Sequence, residues 1–209
     1  MGARLDVARA LGLGEADGAM IEAARRRHEA PQRRYHDWSH VEALAGGVAG
    51  GLLPFADRRA VALFVLYHDA IYDPRSATNE ADSAALLLAE RRGREEAGTL
   101  DLAAAVVRAT AGHRLPDDLT GTDRSDAAAC LDLDLAILAL PARSYDAYAE
   151  KIRREYAHVP DEAWRAGRAM VLEGFTARER LYLTEVGFAL WEAPARAYVA
   201  RELSALRGL

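Results

Sequence analysis

The chain has 209 residues and a mass of 22.7 kDa, enough for one domain or two small ones and for a core that needs neither disulfide nor metal merely to fold. Hydrophobic residues make up 51% and charged residues 28%, which fits a globular protein and argues against disorder. The formal net charge of −5, from 27 basic and 32 acidic residues, and a pI near 5.7 give general nucleic-acid binding no support.

Cys130 stands alone, which excludes an internal disulfide and a multi-cysteine zinc site. The stretch MGARLDVARALGLGEADG carries charges through its apolar residues and lacks a signal-peptide core. No apolar run approaches the ~20 residues that span a bilayer. A cytoplasmic protein without a membrane partner is therefore expected.

In chain order the segments read as helices. From Glu15 to Ala30, Met20, Ile21 and Ala24 form an apolar side and Arg25, Arg26 and Arg27 a charged one. Gly46-Gly47 and Gly50-Gly51 are expected to end a short helix. Asp57 is the expected cap of a helix that carries Val61, Phe64, Val65 and Leu66 and ends near Tyr72, before Asp73-Pro74. Asn79 is expected to cap the next helix, and Asp101 to start one through Val106 and Val107. Ser125 or Asp126 is expected to start one through Leu131, Leu135 and Leu138 to Pro141. Leu131 to Leu135 alternates apolar and acidic residues with period two. Its alanine-rich flanks are strong helix formers, so it too reads as helix. Ser144 is expected to start a helix with the stripe Tyr145, Tyr148, Ile152 and Tyr156, and Asp161 to cap one through Trp164 and Phe175. Pro194 suits the first turn of the last helix. No repeat, low-complexity tract or linker interrupts the pattern, so the expectation is a single all-α domain over 1–209.

Three polar groups interrupt these apolar segments. His36 and His40 stand four apart in Tyr35-His36-Asp37-Trp38-Ser39-His40 and share a face if the segment is helical; imidazole is a common metal ligand, and a loop with Asp37 or Ser39 as a cap is the alternative. His68 and Asp69 follow Phe64-Val65-Leu66-Tyr67. Burial of that carboxylate without a partner would cost several kcal/mol, which a metal ion or an arginine resolves. Asp132 and Asp134, two apart on a helix, point about 200° apart, so at most one faces a given site and the other is expected to be exposed.

Taken together these groups form the ordered set H…HD…D, which resembles the HD superfamily of metal-dependent phosphohydrolases. RRYHDWSH (33–40), FVLYHDAIYD (64–73), NEADSA (79–84), TAGH (110–113), DLDLAIL (132–138) and YDAYAEKIRREY (145–156) are similar to a small bacterial branch of that superfamily. The likeness runs from about Pro31 to Tyr156 and more weakly through Gly167-Arg168 and Glu192 to Glu202. Where the branch often has A-R-x-N-L, this chain has Ala195-Arg196-Ala197-Tyr198-Val199.

The resemblance implies a single HD-type helical domain, with its core over 31–156, helices over 160–207 packed on it, and the metal site between central helices. It implies one divalent ion (Mn, Fe, Co, Ni, Zn or Mg) held by His40, His68, Asp69 and Asp134. It implies hydrolysis of a phosphomonoester or phosphoanhydride of a nucleotide or another small phosphorylated metabolite. Asp69 then also serves catalysis, with Glu80 and His113 as proton-transfer groups. Arg33 and His36 bind substrate, the arginine through a bidentate fork on phosphate oxygens. Each has a plainer alternative: Glu80 and His113 suit the dipoles of their helix ends, and most arginines of this arginine-rich chain are solvated. Two other functions fit the same pattern, a non-catalytic nucleotide-binding regulatory module and a diiron oxygenase, the second short of one histidine between His68 and Asp134.

Overall fold

The computed structural model describes residues 5–208. Among them the chain forms ten α-helices and no strand: α1 (Val7–Leu11), α2 (Gly18–His28), α3 (Trp38–Gly50), α4 (Arg58–Tyr67), α5 (Asn79–Arg91), α6 (Ala97–Ala109), α7 (Gly121–Asp134), α8 (Ala142–Glu155), α9 (Asp161–Thr176) and α10 (Glu185–Arg207). Short 3₁₀ turns cover Glu15–Asp17 and Leu135–Ala139. The all-α class is the one the apolar spacing predicts. Among the described residues no helix is long and apolar enough to cross a membrane. The chain divides into two units, the first ending at Leu133 and the second running from Asp134. The division falls inside the segment 31–156 expected to form one core.

At the centre of the first unit lies α4. Ala60 through Tyr67 are all 2% exposed or less, and a helix apolar on every side is stable only inside a protein. Helices α3, α5 and α6 pack around it. Its N-terminus is capped as predicted, the Asp57 carboxylate accepting from the Ala60 N–H at 2.9 Å. Its C-terminus differs: α4 stops at Tyr67, not near Tyr72. Beyond it, Arg33 donates to the Asp69 and Ala70 carbonyls and Ser83 to the Ile71 carbonyl, in place of the N–H groups a continued helix would supply. His68 and Asp69 consequently lie in the turn beyond the helix.

Several boundaries move for similar reasons of hydrogen bonding. Asn79 does not cap α5 but is its first residue; its side-chain amide accepts from the Asp73 N–H at 3.0 Å and donates to the Asp73 carbonyl at 2.9 Å. Helix α6 begins at Ala97, before the exposed Asp101. Helix α7 begins at Gly121, and Asp126 is a buried residue within it that accepts from the Ala56 and Asp57 N–H groups at 2.9 and 2.7 Å. The alternating Leu131–Leu135 stretch is helical, as read from its flanks. In α3 the chain turns out at Gly51, whose φ of +69° suits glycine. Gly46 and Gly47 lie inside that helix, and a Cβ at Gly47 would collide with the Leu133 side chain, so that glycine serves close packing.

The second unit holds the Leu135–Ala139 turn and α8 to α10. Tyr145, Tyr148 and Ile152 are its buried stripe, joined by Leu172, Tyr182, Ala195 and Val199. Helix α8 begins at Ala142, ahead of Ser144, and Asp161 opens α9 with its carboxylate on Arg153 at 2.6 Å. Pro194 lies in the interior of α10, not in its first turn. Thr184 caps that helix, accepting from the Gly187 N–H at 2.9 Å, so the helix starts well before the proline. The bond Pro194 cannot make would go to Leu190, an exposed residue whose carbonyl water can serve.

Candidate metal centre

His40 is the third residue of α3, among its buried residues with Val41, Leu44 and Val48. The Asp37 cap, which accepts from the Ser39 N–H at 2.8 Å, starts the helix at Trp38 and so sets His40's direction. His68 follows the last residue of α4, and Asp69 comes next. His40 Nε2 and His68 Nε2 are 3.1 Å apart, and Asp69 Oδ2 lies 3.0 Å from His68 Nε2 and 3.8 Å from His40 Nε2. Among the described residues these three are the group of at least three His, Cys, Asp or Glu side chains whose ligand atoms lie within 4.8 Å of one another. Both imidazoles are buried, and the carboxylate side chain is 15% exposed.

The chemistry of this donor set fits a cation. In the tautomer with its proton on Nδ1, 3.3 Å from the Val65 carbonyl, His68 turns an Nε2 lone pair toward the group. The site also stands at the C-terminal end of α4, where the helix dipole favours positive charge. Burial opposes ionisation of Asp69, but the imidazoles of His68, His36 and His40, in their protonated form, outweigh it and hold the carboxyl below the usual carboxylate range. Two imidazoles and one carboxylate suit a first-row divalent metal and leave coordination positions for water or substrate.

The turn that carries Asp69 is held from two sides. Arg33 Nη1 donates to the Asp69 carbonyl at 2.7 Å and the His36 carbonyl at 2.9 Å, and Nη2 donates to the Ala70 carbonyl at 3.1 Å. From α5, the Ser83 hydroxyl accepts from the Ile71 N–H at 3.0 Å and donates to the Ile71 carbonyl at 3.2 Å. The buried guanidinium of Arg33 thus stands beside Asp69 and holds the turn through these carbonyls, a positioning role. Ser83 and Asn79 escaped the sequence reading as site residues. Their signal was the NEADSA motif, in which they are the two residues tied to the backbone of 71–73.

His36 precedes α3, so it does not share a helix face with His40; its ring packs on Tyr72 with centroids 4.2 Å apart. Glu80 is half-buried in the first turn of α5. His113 lies in the turn after α6 with φ of +45°, the one non-glycine residue with positive φ among those described. Neither belongs to the three-residue group. Of the acidic pair, Asp132 is buried at 1% exposure and Asp134, where the second unit begins, is half-buried. Neither is the exposed position expected for one of them. No family model matches the chain, and no curated protein or solved structure matches it significantly.

Proposed function

We propose that the chain is a metal-dependent phosphohydrolase of the HD type, acting on a phosphomonoester or phosphoanhydride of a small metabolite such as a nucleotide. The observation that carries this reading is the convergence of His40 Nε2, His68 Nε2 and Asp69 Oδ2 on one point, with His68 Nδ1 beside the Val65 carbonyl. A divalent ion held there supplies a bound water of lowered pKa and polarises a phosphoryl oxygen. His40, His68 and Asp69 hold it, and Arg33 fixes the backbone of Asp69. Glu80 and His113 are the proposed proton-transfer groups and His36 the proposed substrate contact; the motif resemblance supports those three roles.

The test is metal content and turnover together. After metal repletion the protein should carry about one divalent ion per chain and hydrolyse a generic aryl phosphate, with activity lost to a chelator and restored by metal. A panel of phosphorylated metabolites then defines the substrate. Bound metal without hydrolysis of any phosphoester would favour the regulatory module; absence of both would end the enzyme reading.

A further inference from the structure

The outward side of α9 is apolar, the reverse of what a surface helix ordinarily presents. The helix buries Arg168 and Leu172, and the arginine reaches Glu202 and the Tyr148 oxygen. Ala163, Ala166, Gly167, Met170, Val171 and Gly174 are all exposed, and the 3.6-residue period puts them on one side of the helix. None of the six has a charged or hydrogen-bonding side chain. Met170 is 71% exposed, more than any other large apolar side chain among the described residues, and Val171 is 52% exposed. The half-buried Trp164 and Phe175 continue the apolar surface along one edge. Exposed apolar surface of this extent marks a place where something packs.

The two glycines say how closely. Glycine inside a helix is destabilising relative to alanine. Neither Gly167 nor Gly174 has the positive φ that favours glycine, and a Cβ at either would meet no neighbouring atom of the chain. Gly47 in α3 is a contrast, because a Cβ there would strike Leu133. In α9, then, neither backbone conformation nor internal packing asks for glycine. Close approach of a body from outside does.

We propose that this side of α9 is a self-association surface, on which α9 of a second copy of the chain packs antiparallel about a twofold axis. An axis midway between Gly167 and Met170 sets Met170 against Gly167 of the partner subunit, Val171 against Ala166 of the partner subunit and Ala163 against Gly174 of the partner subunit. The two large side chains each meet a small residue, and the six residues pair among themselves, as an isologous interface requires. The uncharged face offers a charged partner nothing to pair with. Glu162 and Glu173 beside it, and the net charge of −5, disfavour an anionic membrane surface. A helix of 16 residues is about 24 Å long and ~10 Å across, so one face of it falls short of the ~800 Å² per partner of a standard interface, and the dimer is weak and concentration-dependent. The surface includes no residue of the metal group and is independent of the hydrolase reading.

Sedimentation equilibrium of the full chain tests the surface. The expected result is a monomer–dimer equilibrium with a Kd of about 10–500 μM. Met170→Glu should weaken it at least about tenfold, because a charge would be buried without a partner. Gly167→Leu should weaken it by a similar factor although it makes the face more apolar, because the leucine fills the space that Met170 of the partner subunit needs; a merely adhesive surface would associate more strongly. Both positions are exposed, and circular dichroism checks that each variant is folded. A chain still monomeric at about 1 mM, a dimer unmoved by Met170→Glu, or tighter association of Gly167→Leu would each overturn the proposal. Monomeric protein that cosediments with phosphatidylserine-containing vesicles, and loses them on Met170→Glu, would also overturn it and assign the face to a membrane surface. Wild-type protein and Met170→Glu decide the matter even if Gly167→Leu fails to fold.

Discussion

Each unit buries charged side chains, and the two do so in opposite ways. In the second unit Glu202 accepts from Arg168 Nε at 2.8 Å and from the Tyr145 hydroxyl at 2.6 Å, while the Arg168 guanidinium reaches the Tyr148 oxygen at 3.3 Å. Burial works against the Arg168 charge, but the Tyr148 and Glu202 oxygens overcome it and raise its proton affinity. Burial and the adjacent Glu202 carboxylate push the Tyr145 hydroxyl far above its ordinary value. That cluster is closed, with anion, cation and donors all supplied by the chain. In the first unit His40, His68 and Asp69 turn three electron-pair donors on one point, and His68 Nδ1 lies against a carbonyl. A closed cluster specifies packing. A cluster with acceptors on one side alone is suited to hold a cation from outside.

The contrast is broken or upheld first by paired substitutions. Glu202→Ala leaves the Arg168 guanidinium buried without its carboxylate and should cost ~3–5 kcal/mol in urea unfolding. Above about pH 8, where the imidazoles are neutral, Asp69→Asn should change the stability of metal-free protein by only about 1 kcal/mol or less. The same variant should lower metal affinity more than about a hundredfold, beyond the usual loss from an outer-sphere partner. If Asp69→Asn destabilised the metal-free protein as much as Glu202→Ala, the two clusters would be of one kind.

Arg33→Lys sharpens the comparison from the side of support. An ammonium group cannot serve the Asp69, Ala70 and His36 carbonyls in the geometry of the guanidinium, so the turn should loosen. Metal affinity should fall by about 10–100-fold, measured by competition with a chelating dye. Unchanged affinity with weakened substrate binding would assign Arg33 the anion-clamp role instead. The smallest effect is expected at His113. Glycine adopts its φ of +45° without the penalty on a side chain, so His113→Gly should alter stability by only ~1 kcal/mol or less, in thermal unfolding. If His113 moves a proton in turnover, activity falls sharply in this variant although stability holds.

The residue pattern alone determined the helical class, the buried α4 and the Asp57 cap, and it singled out His40, His68 and Asp69, which the fold brings together; Asp134, which the resemblance added to them, lies outside that group. These are legible because apolar spacing and local capping act within a few residues, and because a histidine and an aspartate after an apolar helix demand an explanation. Where helices stop was decided by partners distant in sequence. Arg33 and Ser83 hold the turn after Tyr67, and Asp126 accepts from the backbone ahead of α4. The sequence also left open which nitrogen of a histidine faces the site, and whether an arginine meets a phosphate or a carbonyl. A guanidinium suits either acceptor, and only the folded chain brings the carbonyls of Asp69 and Ala70 to Arg33.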